Sequence, residues 1–270
     1  ALGDEARAIE WFTKAVAAED GGATHHAAEQ LANLRARQAE ASLQKAARAF
    51  REARGRIDAA GTHAAPKAKK ALDAAQDALR AQAAASRDAI REALAELDRL
   101  SDQHPTAERH SLAGSAWKRL AMVESELGRE AEALAAIDRM RAHYAEAVKA
   151  ARRAGSAELF YPGLNLIVAS IAESASTGAA PAFDKALADE VRQSLHAKSR
   201  DDPDFWSVVG ATELRILEAV ARGELADVLP QAKLELADLQ RRISAPTEWR
   251  SVYDTERFVL ERHARQAAPA

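Results

Sequence analysis

The chain of 270 residues has no cysteine, which excludes disulfides, thiolate zinc sites and a cysteine nucleophile. Aromatic residues make up only 5% of it, and there are just twelve glycines and eight prolines. That leaves too little turn punctuation for a fold built from many short strands. No apolar run approaches the roughly eighteen residues from which a membrane span is read, so no membrane partner is expected. The opening ALGDEARAIE lacks a basic segment followed by an apolar one, so no leader is read there and the cytoplasm is the default compartment. A dominant charge sign is missing too. The 38 Lys and Arg face 41 Asp and Glu, for a net charge of −3, and nothing global draws the chain toward nucleic acid.

Alanine is what the sequence has in excess. It accounts for 68 of the 270 residues, a quarter, within a hydrophobic fraction of 47%. The larger apolar residues are too few for one thick core but enough for thin layers of closely packed helices. Alanine is also the strongest helix former. The expected fold class is therefore all-α, an α-solenoid of antiparallel helix pairs in a superhelix.

Periodicity and punctuation divide the chain into four parts. Residues 4–20 form one helix with Ile9, Phe12 and Val16 on a stripe, ended by Gly21-Gly22, so 1–22 is one unit. Residues 23–105 read as a long Ala-rich hairpin, with a turn at Gly61–Ala65 and Pro66 opening its second helix. Leu43, Phe50 and Ile57 lie seven apart, with Ala46, Ala53 and Ala60 three residues after each, a large-small seam that lets helices approach closely. Residues 106–154 and 155–270 hold shorter helices, near 107–127, 129–153, 157–175, 182–199, 205–222, 225–243 and 247–266.

The segment 116–144, AWKRLAMVESELGREAEALAAIDRMRAHY, places Trp117, Leu120 and Ala121 on one helix, Gly128 at a turn, and Ala133, Ile137 and Met140 on the next. It resembles a tetratricopeptide repeat, in which small residues sit where paired helices cross and large ones fill the space beside them. The start, LGDEARAIEWFTKAVAAED, is similar to the second helix of another repeat, with Gly3, Ala8, Phe12 and Ala15 at the turn, crossing, filling and closing positions. A first helix would precede it, so the chain reads as part of a longer protein. Further on, YPGLN (161–165), DFWSVVGATEL (204–214), ARGELADVLPQA (221–232) and TEWRSVYDTE (247–256) follow in order. Together, over about 105–266, they resemble the TRAFs-binding domain family, found in the regulatory region of apoptosis signal-regulating kinases and in bacterial multidomain proteins. That resemblance implies a regulatory module that docks partners and restrains or positions an effector domain.

Chemical signatures are sparse. GxGxxG, GxxxxGK[ST], GxSxG and HExxH are all absent, so no catalytic, cofactor or metal residues are expected. His25 and His26 are adjacent on a helix and point apart. Asp201-Asp202-Pro203-Asp204 could hold a hard cation, but an acid before a helix reads first as an N-cap. Between residues 41 and 80, nine cationic residues face four acids. Only Phe50 offers a stacking platform there, so a solvated exterior or an acidic protein partner fits better than nucleic acid.

In a tetratricopeptide superhelix the first helix of each pair lines the concave face. The resemblance places Ser115, Lys118, Arg119, Met122, Ser125 and Glu126 there as partner-binding positions. Relatives that clamp a terminal carboxylate carry Asn where Met122 stands, so a mixed groove for an extended or helical peptide is expected instead. The functional expectation is a non-catalytic protein-interaction and regulatory scaffold within a larger signalling or conflict-type protein. The Ala- and Arg-rich usage points to a bacterial source. The partner would be a protein or peptide, another domain of the same parent chain included. The alternative is dimerisation through the 24–104 hairpin.

Overall fold

The computed structural model describes residues 5–18, 24–61, 65–243 and 246–267. Among them the chain forms ten α-helices and no strand: α1 (Glu5–Ala17), α2 (His25–Ala60), α3 (Pro66–Gln103), α4 (Ala107–Glu126), α5 (Glu130–Ala154), α6 (Phe160–Thr177), α7 (Lys185–Asp201), α8 (Phe205–Arg222), α9 (Leu225–Arg242) and α10 (Pro246–Ala267). Neighbouring helices pack in the manner of a tetratricopeptide-like solenoid. The turn residues Gly3, Gly21 and Gly22 lie outside the described residues, as does most of the turn at Gly61–Ala65.

Helix ends follow local chemistry. Thr24 caps α2 by accepting from the Ala27 amide at 3.3 Å, and Asp184 caps α7 by accepting from the Leu187 amide at 3.0 Å. Pro66 occupies the first turn of α3, where its missing N–H costs nothing. Asp204 accepts from the Ser207 amide at 2.7 Å, and Ser207 Oγ returns a contact to the Asp204 backbone N–H at 3.1 Å, a full capping box. The acidic cluster is thus built into helix ends, with Asp202 held by Lys198 at 2.6 Å and Asp201 by Arg200 at 2.7 Å. Gly128 and Gly223 close α4 and α8 at φ of 69° and 73°, a left-handed conformation that favours glycine.

Two compact units contain these helices. Among the described residues, one comprises those of 5–104 and 115–136. In it α2 and α3 pair along their length, and α1 packs on α2 with Glu5 bonded to Arg37 at 3.2 Å. The proximal half of the hairpin is buried through Leu31, Ala36, Leu43 and Ala47 of α2 and Ala83, Ile90, Leu94 and Leu97 of α3. From residue 52 to 82 no described position is buried, and Ile57, Leu72 and Leu79 are half-buried. Two helices alone can cover only one side of a seam, so the tip of the hairpin keeps apolar surface in water. Glu124 of α4 is 1% exposed and sits between Arg87 Nε of α3 at 3.2 Å and Arg129 Nε at 3.3 Å. That flanking by two guanidinium groups is what makes a buried carboxylate tolerable.

Among the described residues, the other unit comprises 105–114 and those of 137–267. Successive helices α6, α7, α8 and α9 pack in order, and α6 also meets α8. Its core is Tyr144, Ile167, Ile171, Val191, Val209, Leu217 and Phe258, all at or below 2% exposure. Three glycines set the interhelical distances. A Cβ on Gly114 of α4 would lie 2.7 Å from the Tyr144 ring, and one on Gly210 of α8 would lie 2.8 Å from Leu195 and 3.1 Å from Leu164. A Cβ on Gly163 of α6 would collide with Val191 Cγ2.

The same substitution is therefore expected to have opposite signs at two helical glycines. Gly55 of α2 has open space around it, so Gly55→Ala gains helix propensity and stabilises by up to about 1 kcal/mol. Gly163→Ala gains the same propensity but overpacks a β-branched, fully buried neighbour, which typically costs about 1–3 kcal/mol. The clash dominates and the net effect is destabilising. Urea unfolding followed by circular dichroism checks both signs; equal effects at the two sites would refute the packing argument.

Candidate binding site

A concavity in the second unit lies over α8, with α7 and α9 on either side, and has a volume of about 490 Å³. Its apolar part is Leu195 of α7 with Ala211 and Leu214 of α8. Leu195 can reach α8 closely because Gly210 offers no side chain. The polar part is a row of paired charges. Arg192 of α7 bonds to Asp189 one turn away and to Glu218 of α8. Arg215 of α8 bonds to Glu235 of α9, which also accepts from Thr212 at 3.0 Å and from Gln231 at 3.1 Å. His196 and Ser199 complete the wall, and the Ser199 hydroxyl donates to the Ser207 carbonyl at 3.1 Å.

The electrostatics favour fixed, ionised groups. The Arg215 hydrogen bond holds the Glu235 carboxyl below the usual carboxylate range, with Gln231 and Thr212 adding to it against the opposing effect of burial. For Arg192, burial pulls the pKa down, but Asp189 and Glu218 outweigh it and the guanidinium is held above its ordinary value. Two cations, Arg192 and Arg215, line the cavity with two anions, Glu218 and Glu235. The arrangement is one of recognition: alternating donors and acceptors around an apolar floor suit a segment carrying both polar backbone and apolar side chains. It has no excess charge with which to attract a polyanion.

The six positions expected to face a partner lie elsewhere, on α4. Ser115, Lys118 and Met122 are buried, between 5% and 8% exposed, so that part of the face is packed. Arg119, Ser125 and Glu126 are half-buried. Arg119 donates to the Ser115 carbonyl at 2.9 Å, and Glu126 pairs with Arg51 of α2. The hairpin thus meets the last turn of this face, an arrangement a repeat pattern read one repeat at a time does not reveal. The α7–α9 cavity was missed for a related reason. Its pairs Arg192–Glu218 and Arg215–Glu235 span 26 and 20 residues. The only local signal is Arg215 and Glu218 on one face of α8 beside apolar residues.

Of the aromatic residues, Tyr144 is fully buried. Tyr161, Phe205, Trp206 and Trp249 form a chain of edge-on contacts, with centroid distances of 6.4 Å from Tyr161 to Trp206, 5.0 Å from Trp206 to Phe205 and 5.1 Å from Phe205 to Trp249. No described helix is long and apolar enough to cross a membrane.

Residues 49–170 match the family model described as Tetratricopeptide Repeats-Sensor. The match begins within α2 and runs through α3, α4 and α5 into α6, so it takes in most of the hairpin as well as the best repeat. It supports a tetratricopeptide-like family and a protein-interaction or sensor role. The TRAFs-binding resemblance is not confirmed by it. No curated protein and no solved structure matches the chain.

Because Glu235 is held low, its contribution to stability is present above the unfolded carboxylate value of about 4.5 and is lost as pH falls through its lower folded value. Glu235→Gln is expected to destabilise the chain by about 0.5–1 kcal/mol at pH 7, since the pair is only partly buried. The difference should close as the pH is lowered from about 4.5. Thermal melts across pH check this; a pH-independent difference would show that the Arg215 pairing is not its source.

Proposed function

We propose that this chain is a non-catalytic interaction and regulatory scaffold that takes a protein or peptide segment and, within a larger bacterial signalling or conflict-type protein, controls an effector domain. The observation that carries the reading is the α7–α9 cavity: paired, ionised side chains on rigid helices around Leu195, Ala211 and Leu214. A site on helices is pre-organised, so little ordering cost falls on binding. The tetratricopeptide-type match over 49–170 supports the same role, and the regulatory part rests on the TRAFs-binding resemblance of the C-terminal segments. The half-buried Arg119, Ser125 and Glu126 of α4 remain as a secondary contact surface.

The test compares the chain with an Arg192→Glu, Arg215→Glu variant whose circular dichroism is unchanged. Proteins captured by the first and not by the second are purified and titrated calorimetrically, with the effector domains of the parent protein included. A defined partner whose affinity falls at least about tenfold in the variant is expected, equivalent to about 1.4 kcal/mol. Partners that bind both forms equally would overturn the assignment of this cavity.

A second reading, self-assembly through the hairpin, has its own support. Among the described residues of 52–82 none is buried, and Ile57, Leu72 and Leu79 stay half-exposed. A second hairpin would cover that seam as in a four-helix bundle. The nine cations against four acids between 41 and 80 oppose such pairing, and salt screens that repulsion. Light scattering is expected to show a dimer that strengthens with ionic strength and is abolished by Leu72→Glu with Leu79→Glu. A monomer at all concentrations and salt levels removes this reading.

A further inference from the structure

The last helix packs across two earlier ones in the same unit. α10 lies against α6 and α8, and the aromatic chain from Tyr161 through Trp206 and Phe205 to Trp249 joins the N-terminal ends of all three. Trp249 Nε1 also donates to the Ile243 carbonyl at 2.9 Å, fixing the entry into α10. The three helices therefore run in the same direction from a common aromatic end.

Along α10 the positions Trp249, Val252, Glu256, Val259 and His263 follow one another at alternating spacings of three and four, the seam of a helix that packs on helices. Val252 and Val259 are 4% and 1% exposed. The other two seam positions below Trp249 are occupied by titratable side chains. Glu256 Oε2 and His263 Nδ1 are both shut off from solvent with no hydrogen-bond partner. Beside the seam, Phe258 is fully buried and carries Arg262 stacked on it at 3.9 Å.

Glu256 as a whole is half-buried, and among the described residues no cation pairs with it. From α8 it meets Glu213, a like charge. The one charged residue of α6, Glu173, is engaged by Arg141 of α5 at 2.8 Å. On α10 itself Arg250 is bonded to Asp254, and Arg257 to Glu261. Burial and then Glu213 push the Glu256 carboxyl up to about 8. An unsatisfied buried polar atom costs free energy that a water-exposed one does not, so the seam that seats α10 is weaker than its apolar residues alone would make it. The packing that seats it remains well matched to a helix.

We propose that α10 is a displaceable occupant of the face formed by α6 and α8, and that this face takes in its place an amphipathic partner helix with apolar residues at the positions of Glu256 and His263. The proposal rests on the protein-interaction reading but uses a different surface from the α7–α9 cavity. The incoming helix would keep the aromatic residue at the Trp249 position, since that ring closes the aromatic chain, and would repeat the Val252 and Val259 contacts. It gains over α10 by leaving no carboxylate opposite Glu213. Displacement exposes Phe258 and the two valines of α10, giving the bound state a surface that the closed state lacks.

The probe is a fluorescein-labelled peptide of residues 246–267 carrying Glu256→Leu and His263→Leu, added to the full chain and followed by anisotropy at pH 8. Saturable binding is expected to the natural chain. A chain with the same two substitutions in its own α10 should bind the peptide at least about tenfold more weakly, because its seat is held from within. Hydrogen exchange gives a second reading: α10 amides of the natural chain should exchange faster than those of α6 and α8, and the substitutions should slow them. The group is raised when docked, so docking is strongest below the unfolded value of 4.5 and weakens as pH rises to about 8. α10 protection, corrected for intrinsic exchange, should fall over that window in the natural chain and stay flat in Glu256→Gln. No peptide binding, equal binding to both chains, or α10 amides as protected as those of α6 would each overturn the proposal. Loss of α7–α9 partners would not bear on it.

Discussion

Three positions without side chains govern how the helices of the second unit come together. At Gly114 the ring of Tyr144 stands where a Cβ would be, at Gly163 it is a methyl of Val191, and at Gly210 it is Leu195 with Leu164 close behind. Each glycine lies on α4, α6 or α8, and in each case a large residue from the following or preceding helix fills the gap. Glycine inside a helix costs about 1 kcal/mol relative to alanine. The return is close contact over a whole crossing, where dispersion and apolar burial accumulate over many atoms. The cavity over α8 exists because Gly210 draws α7 close while α9 stands on the far side.

Charge is handled in two contrasting ways. In the first unit Glu124 is fully buried but stands between Arg87 and Arg129, and removing either guanidinium would leave a buried anion poorly compensated. In the cavity of the second unit the same logic operates at the surface, where Arg192 and Arg215 each hold a carboxylate from a neighbouring helix. Glu256 has no such partner and faces Glu213. The first two arrangements lock elements together. The third weakens the seating of one helix, which is why it marks α10 as the element that can leave.

Much of the fold is legible in the sequence. Alanine content and scarce Gly and Pro dictate helices, and Pro66, Gly128, Gly178 and Gly223 place their ends within a few residues of where they occur. Asp204 reads as a cap and is one. The large-small seam of the hairpin is real in its proximal half, where Leu43 is fully buried, and weaker beyond, where Phe50 and Ile57 are only half-covered. Periodicity reports which residues share a face but not how far a neighbour extends along it.

For the site the balance is reversed. A repeat pattern identifies one face of α4, but Ser115, Lys118 and Met122 on it are buried, and Glu126 at its last turn pairs with Arg51 of the hairpin. The α7–α9 cavity and the α10 seam depend on side chains 20 to 26 and some 43 residues apart, separations over which sequence carries no pairing signal. Helix identity, helix ends and the thinness of the core follow from the residues alone, since propensity, capping and composition act within a few residues. Which faces remain open and which charges are compensated is set by the packed fold, since burial and desolvation depend on what the rest of the chain places opposite each side chain.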